Sequence, residues 1–87
     1  MAAIDDLKSL LKTKKLIIGT GKTIKNLKLG KLSKVYVSSN CPKNIKEDIH
    51  YYCGLSGTDF VQLEETNEDI GIICKKPFFI SVASVIK

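Results

Sequence analysis

The sequence predicts a single α/β domain spanning residues 1–87, with a sheet covered by helices on both faces. Three observations predict it. Short apolar runs alternate with longer stretches of helical period, in the order α-β-α-β-α-β-α-β. The connections between them are short, with no long linker, low-complexity segment or repeat. Apolar residues make up 44% of the 87-residue chain, which suits one compact core and leaves little room for a deep substrate cleft.

Helix one is predicted over residues 3–13. Ile4, Leu7, Leu10 and Leu11 recur at helical spacing, with Asp5 and Asp6 near the start and Lys12, Lys14 and Lys15 at the end, as the helix dipole favours. Leu16 to Ile18 is a continuously apolar strand, the pattern of a strand covered on both faces. Helix two is expected from Thr20 or Gly21 to Leu29, with Ile24 and Leu27 inward and Gly30 as the residue that ends it. Lys22, Lys25 and Lys28, three apart, form an inclined outer row. Lys34 to Ser38 is strand two, and Asn40-Cys41-Pro42 is a turn.

Proline lacks an N–H that the first helical position would not use, so Pro42 is expected to open helix three, running to about Leu55. Its apolar stripe is Ile45, Ile49, Tyr52 and Cys53, and Gly57 follows its end. Phe60 to Leu63 is strand three. Thr66 is the expected N-cap of helix four, with acids in the first turn and Ile70, Ile73 and Cys74 inward. Gly71 within this helix points to close packing. Pro77 ends the basic turn Lys75-Lys76. Phe78 to Ile86 is expected as the longest strand, with Phe78, Ile80, Val82, Ser84 and Ile86 on one face and Phe79, Ser81, Ala83 and Val85 on the other.

Composition narrows the function classes. No apolar run approaches the ~18–20 residues of a membrane span, and the acidic start Met-Ala-Ala-Ile-Asp-Asp has no signal-peptide apolar region, so a soluble cytosolic protein is expected. Cys41, Cys53 and Cys74 are an odd set at unrelated spacings, without a Cys-x-x-Cys pair. They read as structural thiols in a reducing compartment. His50, three residues before Cys53, does not complete a zinc site, so no metal or cofactor is expected. Glu64 and Glu65 are adjacent, as are Asp5 and Asp6, and neither pair is arranged for acid–base work. No catalytic constellation is expected.

The net charge of +5 is unevenly spread. Residues 1–34 hold nine lysines against Asp5 and Asp6, a net of +7, while residues 35–87 have a net of −2. A basic segment of this kind attracts polyphosphate. It centres on Gly19-Thr20-Gly21-Lys22-Thr23-Ile24-Lys25, directly after the apolar run Leu16–Ile18. The first N–H groups of a helix carry partial positive charge and no intrahelical partner, so this strand–turn–helix is a candidate anion site. Gly21-Lys22-Thr23 also ends like a nucleotide-binding P-loop. That loop needs a glycine five positions before the second, and Leu16 stands there, so the turn is too tight to wrap a triphosphate. A small nucleotide-binding enzyme is the less favoured alternative.

In an open α/β sheet, ligands bind beyond the carboxyl ends of parallel strands. If strands one and two are parallel, the Gly19–Lys22 and Ser39–Pro42 turns share a rim. Lys75-Lys76-Pro77-Phe78-Phe79 joins them if strand four begins there, antiparallel to strand one. Helix N–H donors, ammoniums, the Asn40 amide and an aromatic platform together suit irregular RNA. Phe78 and Phe79 alternate in direction along a strand, so one is expected in the core and Phe78 is the favoured RNA contact.

These residues resemble the archaeal and eukaryotic L-thirty-e family of large-subunit ribosomal proteins, within the wider superfamily of kink-turn RNA-binding proteins. The resemblance covers nearly the whole chain. Its marks are Gly19-x-x-Lys22-Thr23 with Lys25, Asn40-Cys41-Pro42, and Ile49-x-Tyr51-Tyr52-x-x-Leu55-Ser56. Asn67-Glu68-x-x-Gly71 and Lys76-Pro77-Phe78 before Ser81-Val82-Ala83 complete the set. The Asn-Cys-Pro form is eukaryotic-like, and the family's basic N-terminal extension and C-terminal tail are nearly absent.

The resemblance implies a three-layer α/β/α sandwich with a mixed four-stranded sheet. It implies a place in the large subunit of the cytoplasmic ribosome, with ribosomal RNA and other large-subunit proteins as partners. The RNA element would be a kink-turn, an internal loop with tandem sheared G·A pairs and a sharp bend. Gly21, Lys22 and Lys25 would enter the bent loop, Asn40 would contact RNA from the second turn, and Lys76, Pro77 and Phe78 would cover an extruded base or the opposite strand. Gly19, Thr20, Thr23, Lys28, Cys41 and Pro42 complete the expected interface. Superfamily members of small nucleolar particles carry Asn-Glu where this chain has Gly21-Lys22, which favours the ribosomal branch over a ribonucleoprotein assembly factor outside the ribosome.

Overall fold

The computed structural model describes residues 7–11 and 15–87. Residues 7–10 are helical (α1) and Leu11 is a turn, while residues 3–6 and 12–13 of the expected first helix lie outside the described residues. There follow β1 (Leu16–Ile18), α2 (Thr20–Lys28), β2 (Leu32–Val37), α3 (Lys43–Ser56), β3 (Asp59–Gln62), α4 (Asn67–Ile73) and β4 (Val82–Ile86). The four strands form one mixed sheet in the order β1-β4-β2-β3. β4 is antiparallel to both β1 and β2, while β2 and β3 are parallel.

Side chains alternate across the sheet and divide the core in two. On one face Tyr36, Ala83 and Val85 pack with Leu7 of α1, Ile70 of α4 and the adjoining Cys74. On the other, Val35, Val37 and Val82 pack with Leu27 of α2 and with Ile49 and Cys53 of α3. The helices thus lie two to a side, and the fold is the three-layer sandwich expected. β1 is half-buried because it is an edge strand, yet both its faces are covered: Leu16 and Ile18 meet the first cluster and Ile17 the second.

Helix ends follow local chemistry. Gly30 takes a left-handed φ of 70° after α2, and the amides of Gly30 and Lys31 bond back to Leu27 and Asn26, the paired closure that favours glycine. Gly57 ends α3 with a φ of 69°. Thr66 caps α4, its hydroxyl accepting from the Asp69 amide at 3.3 Å. Pro42 is the N-cap of α3, with φ −53° and ψ 137°, so the helix begins at Lys43, one residue later than expected. A proline fits there because its extended ψ turns the chain into the helix.

The largest departure concerns the last strand. It begins at Val82 rather than Phe78, because both neighbours have ended: Ile18 of β1 pairs with Ala83 and Val37 of β2 with Val82. No ladder remains for residues 78–81, so the expected alternation of faces fails for them. Ile80 joins the Ala83 and Val85 cluster instead of the Val82 side.

Candidate nucleic-acid interface

Strand direction decides where the connectors meet. β1, β2 and β3 all run opposite to β4, so their carboxyl ends share a rim with the start of β4. The turns after β1 and β2 and the segment before β4 therefore converge as expected. The link from β3 to α4 joins them. Backbone bonds tie the rim together: the Gly19 amide to the Val82 carbonyl at 3.1 Å, Ser38 to Ser81 at 2.9 Å, and Ser39 to Glu65 at 2.9 Å.

Gly19 has φ 122° and ψ 146°, a conformation closed to residues with a Cβ, and α2 starts at the next residue. This turn delivers the first N–H groups of α2 to the rim without an acidic residue in the first turn or a side-chain cap. Partial positive charge is thus left outward. Lys22 is exposed and lines a groove of ≈ 320 Å³ with Lys76, Phe78 and the β1 residues. Lys25 follows on the exposed face, where a hollow is lined by Gly21, Ile24, Lys25, Lys28 and Leu29. Lys28 stands at the far end of α2, about 12 Å along the axis at 1.5 Å per residue, with its ammonium 5.2 Å from the Tyr52 ring centroid.

Thr23 is a correction. It points into the core, wholly buried, with Oγ1 3.0 Å from Ser84 Oγ. The helical turn that puts Lys22 outward puts its neighbour inward. Thr23 cannot touch RNA, and it cannot offer the hydroxyl that a P-loop places on magnesium. Thr20 is half-buried at the turn.

Asn40 is exposed but held. Its Nδ2 donates to Asn67 Oδ1 at 3.1 Å, and its Oδ1 accepts from the Asn67 amide at 2.8 Å. Asn67 Nδ2 also reaches Ser81 Oγ at 3.4 Å, and the Asn67 carbonyl accepts from the Ile80 amide at 3.0 Å. One residue thereby fixes two connectors. Asn67 is absent from the expected interface; its place in the Asn67-Glu68-x-x-Gly71 mark is the signal that could have found it. Cys41 is half-buried and packs against the α2/α3 side of the core, where burial pushes its thiol pKa up against the opposing pull of Lys46. Its side chain is turned from the rim, whereas Pro42 is exposed.

The third connector begins where α4 ends. Lys75 has a left-handed φ of 57°, and the amides of Lys75 and Lys76 bond back to Ile72 and Gly71. This is the closure seen after α2, with lysine where glycine is usual. A Cβ on Gly71 would collide with the Phe78 carbonyl, so the expected close packing at Gly71 is what seats the loop. Phe78 is 53% exposed and Phe79 67% exposed. The expectation that one of them enters the core is corrected, because no strand forms there to alternate them. Pro77 is exposed between Lys76 and Phe78.

The family model of the ribosomal protein L7Ae/L30e/S12e/Gadd45 family matches residues 1–87. The chain belongs to this family. Large ribosomal subunit protein eL30 of Saccharolobus solfataricus is 42% identical over 81 residues, covering 93% of this chain and 75% of that protein. The eL30 protein of Methanothermobacter thermautotrophicus is 43% identical over 68 residues, covering 78% of this chain and 69% of that one. Among solved structures, a Bacillus halodurans protein of unknown function matches with a TM-score of 0.83 at 18% identity, over 93% of this chain and 80% of that one. A Giardia lamblia 15.5kD RNA binding protein matches with a TM-score of 0.75 at 21% identity, over 92% and 67%. These two share the fold.

The relatives place the chain with the L30e-type ribosomal proteins of the L7Ae/L30e/S12e/Gadd45 family, a structural group rather than an enzymatic one. The rim agrees with that placement. It holds donors, cations and flat apolar groups, the means of binding a polyanion. Among the described residues, no three His, Cys, Asp or Glu side chains are grouped to hold a metal, and no helix is long and apolar enough to cross a membrane.

Proposed function

We propose that this chain is a structural constituent of the large subunit of the cytoplasmic ribosome and binds a kink-turn in ribosomal RNA, beside other large-subunit proteins. The observation that carries the reading is the convergence of three connectors on one rim: Gly19–Lys22, the Asn40 turn and Lys76–Phe78. A sharply bent RNA crowds phosphates on one side and exposes base edges and faces on another. The start of α2 with Lys22 and Lys25 answers the phosphates and the base edges beside them. The held Asn40 amide keeps one N–H and lone-pair capacity for a base edge. Exposed Phe78 offers a face on which an extruded base can stack.

The test is binding of a kink-turn RNA and of a straight duplex of equal length. Lys22→Ala with Lys25→Ala is expected to weaken kink-turn binding by about 1–3 kcal/mol for each lysine that reads a base edge, and by less for one that meets only phosphate. Equal affinity for bent and straight RNA would refute the reading. Recovery of the cellular protein at one copy per salt-washed large subunit is expected; its absence there would refute the ribosomal part.

A further inference from the structure

The Lys22–Lys76–Phe78 groove does not stop at the rim. A second groove, of ≈ 500 Å³, is lined by Lys8 and Leu11 on the α1 side, by Leu16 and Ile18 of β1, and by Cys74, Lys75 and Lys76 after α4. The two share Leu16, Ile18 and Lys76. They form one channel along β1, the edge strand whose only ladder partner among the described residues is β4. Four exposed lysines border it, Lys8, Lys22, Lys75 and Lys76, and no acid among the described lining residues opposes them. Lys8 lies outside the expected interface, and Lys75 belongs to the expected third connector without being given an RNA contact there.

A second observation points the same way. Lys75 occupies a left-handed backbone position that costs a residue with a Cβ about 1–2 kcal/mol and that glycine fills freely. Lysine at that position puts a long cation on the wall of the second groove. We propose that an RNA strand leaving the bent site runs along β1, with its phosphates on Lys75 and Lys8 and its sugars against Leu16 and Ile18. This rests on the kink-turn reading and extends it. An extended acidic peptide is the competing occupant. It fits less well, because a strand of three residues offers few main-chain bonds to a peptide added at the edge.

The test uses the full chain and two RNAs: a kink-turn trimmed close to its internal loop, and the same element with both strands extended. Lys8→Gln with Lys75→Gly is expected to bind the extended RNA about fivefold more weakly, and to flatten the dependence of log K on log salt by about one to two. Trimmed RNA should bind both proteins alike. Lys75→Asn, which tolerates the left-handed backbone without the charge, guards against an effect of glycine alone.

An unchanged salt slope on extended RNA overturns the inference. So does equal loss on both RNAs, which would mean that Lys75 only supports the rim loop. Unchanged RNA binding with lost binding to polyglutamate would assign the channel to an acidic peptide and also overturn it. Lys22→Ala with Lys25→Ala separates the two levels: it should weaken both RNAs, and if it weakens neither, the kink-turn reading fails and takes the channel with it.

Discussion

Gly19 and Gly21 are two residues apart and answer to different constraints. Gly19 has a backbone that only glycine holds without strain, so Gly19→Ala is expected to cost about 1–3 kcal/mol of stability. Gly21 sits in the first turn of α2 with an ordinary φ, and a Cβ there would meet nothing within 4 Å. Alanine prefers a helix over glycine by up to about 1 kcal/mol. Gly21→Ala should therefore leave the fold as stable or more so, while its methyl group stands on the surface that a nucleic-acid backbone must approach. Urea unfolding and kink-turn binding are expected to move in opposite directions, with affinity reduced. Lower stability together with unchanged affinity would show that Gly21 serves the helix and not the interface.

At the level of elements, Asn67 joins α4 to the turn after β2 and to the segment before β4. Asn67→Ala removes two side-chain hydrogen bonds, each worth about 0.5–1.5 kcal/mol net, and leaves Asn40 held only through its Oδ1 by the residue-67 amide. Affinity for RNA should fall although the Asn67 side chain is spent within the protein, and lowering the salt should not recover it, since no charge is removed. This residue marks where the sequence could be read and where it could not. Gly30, Gly57 and Thr66 declare helix ends through chemistry confined to a few neighbouring residues, and the apolar stripe Ile45, Ile49, Cys53 declares a buried face by its period. The start of β4 depends on where two other strands stop, which no local pattern carries, so the alternation through Phe78–Ile86 reads as strand beyond its true limit. Thr23 shows the same difficulty within the site: only the placement of Ser84 on the face of β4 beneath α2 reveals that its hydroxyl is spent inside.

The whole molecule redistributes the charge that the chain concentrates. Of the lysines in the basic segment 1–34, Lys22 and Lys25 reach the rim region, but Lys31 leads into β2 at the opposite pole, where its carbonyl accepts from the Lys87 amide at 2.9 Å. Two basic poles therefore compete for any polyanion by charge alone, and only the rim adds helix N–H donors, the held amide and exposed aromatics. Added salt should erode binding at the far pole first, because exposed charges without directed bonds are the most screened. Amide hydrogen exchange at moderate salt can tell the poles apart. With a kink-turn RNA bound, Gly21 and Lys22, whose amides lie in the first turn of α2, are expected to exchange more slowly, along with the segment before β4. Lys31, Thr58 and Lys87, already bonded to Asn26, Cys53 and Lys31 at the far pole, should keep their rates. Protection centred on the far pole would mean that overall charge, and not the converged connectors, holds the RNA.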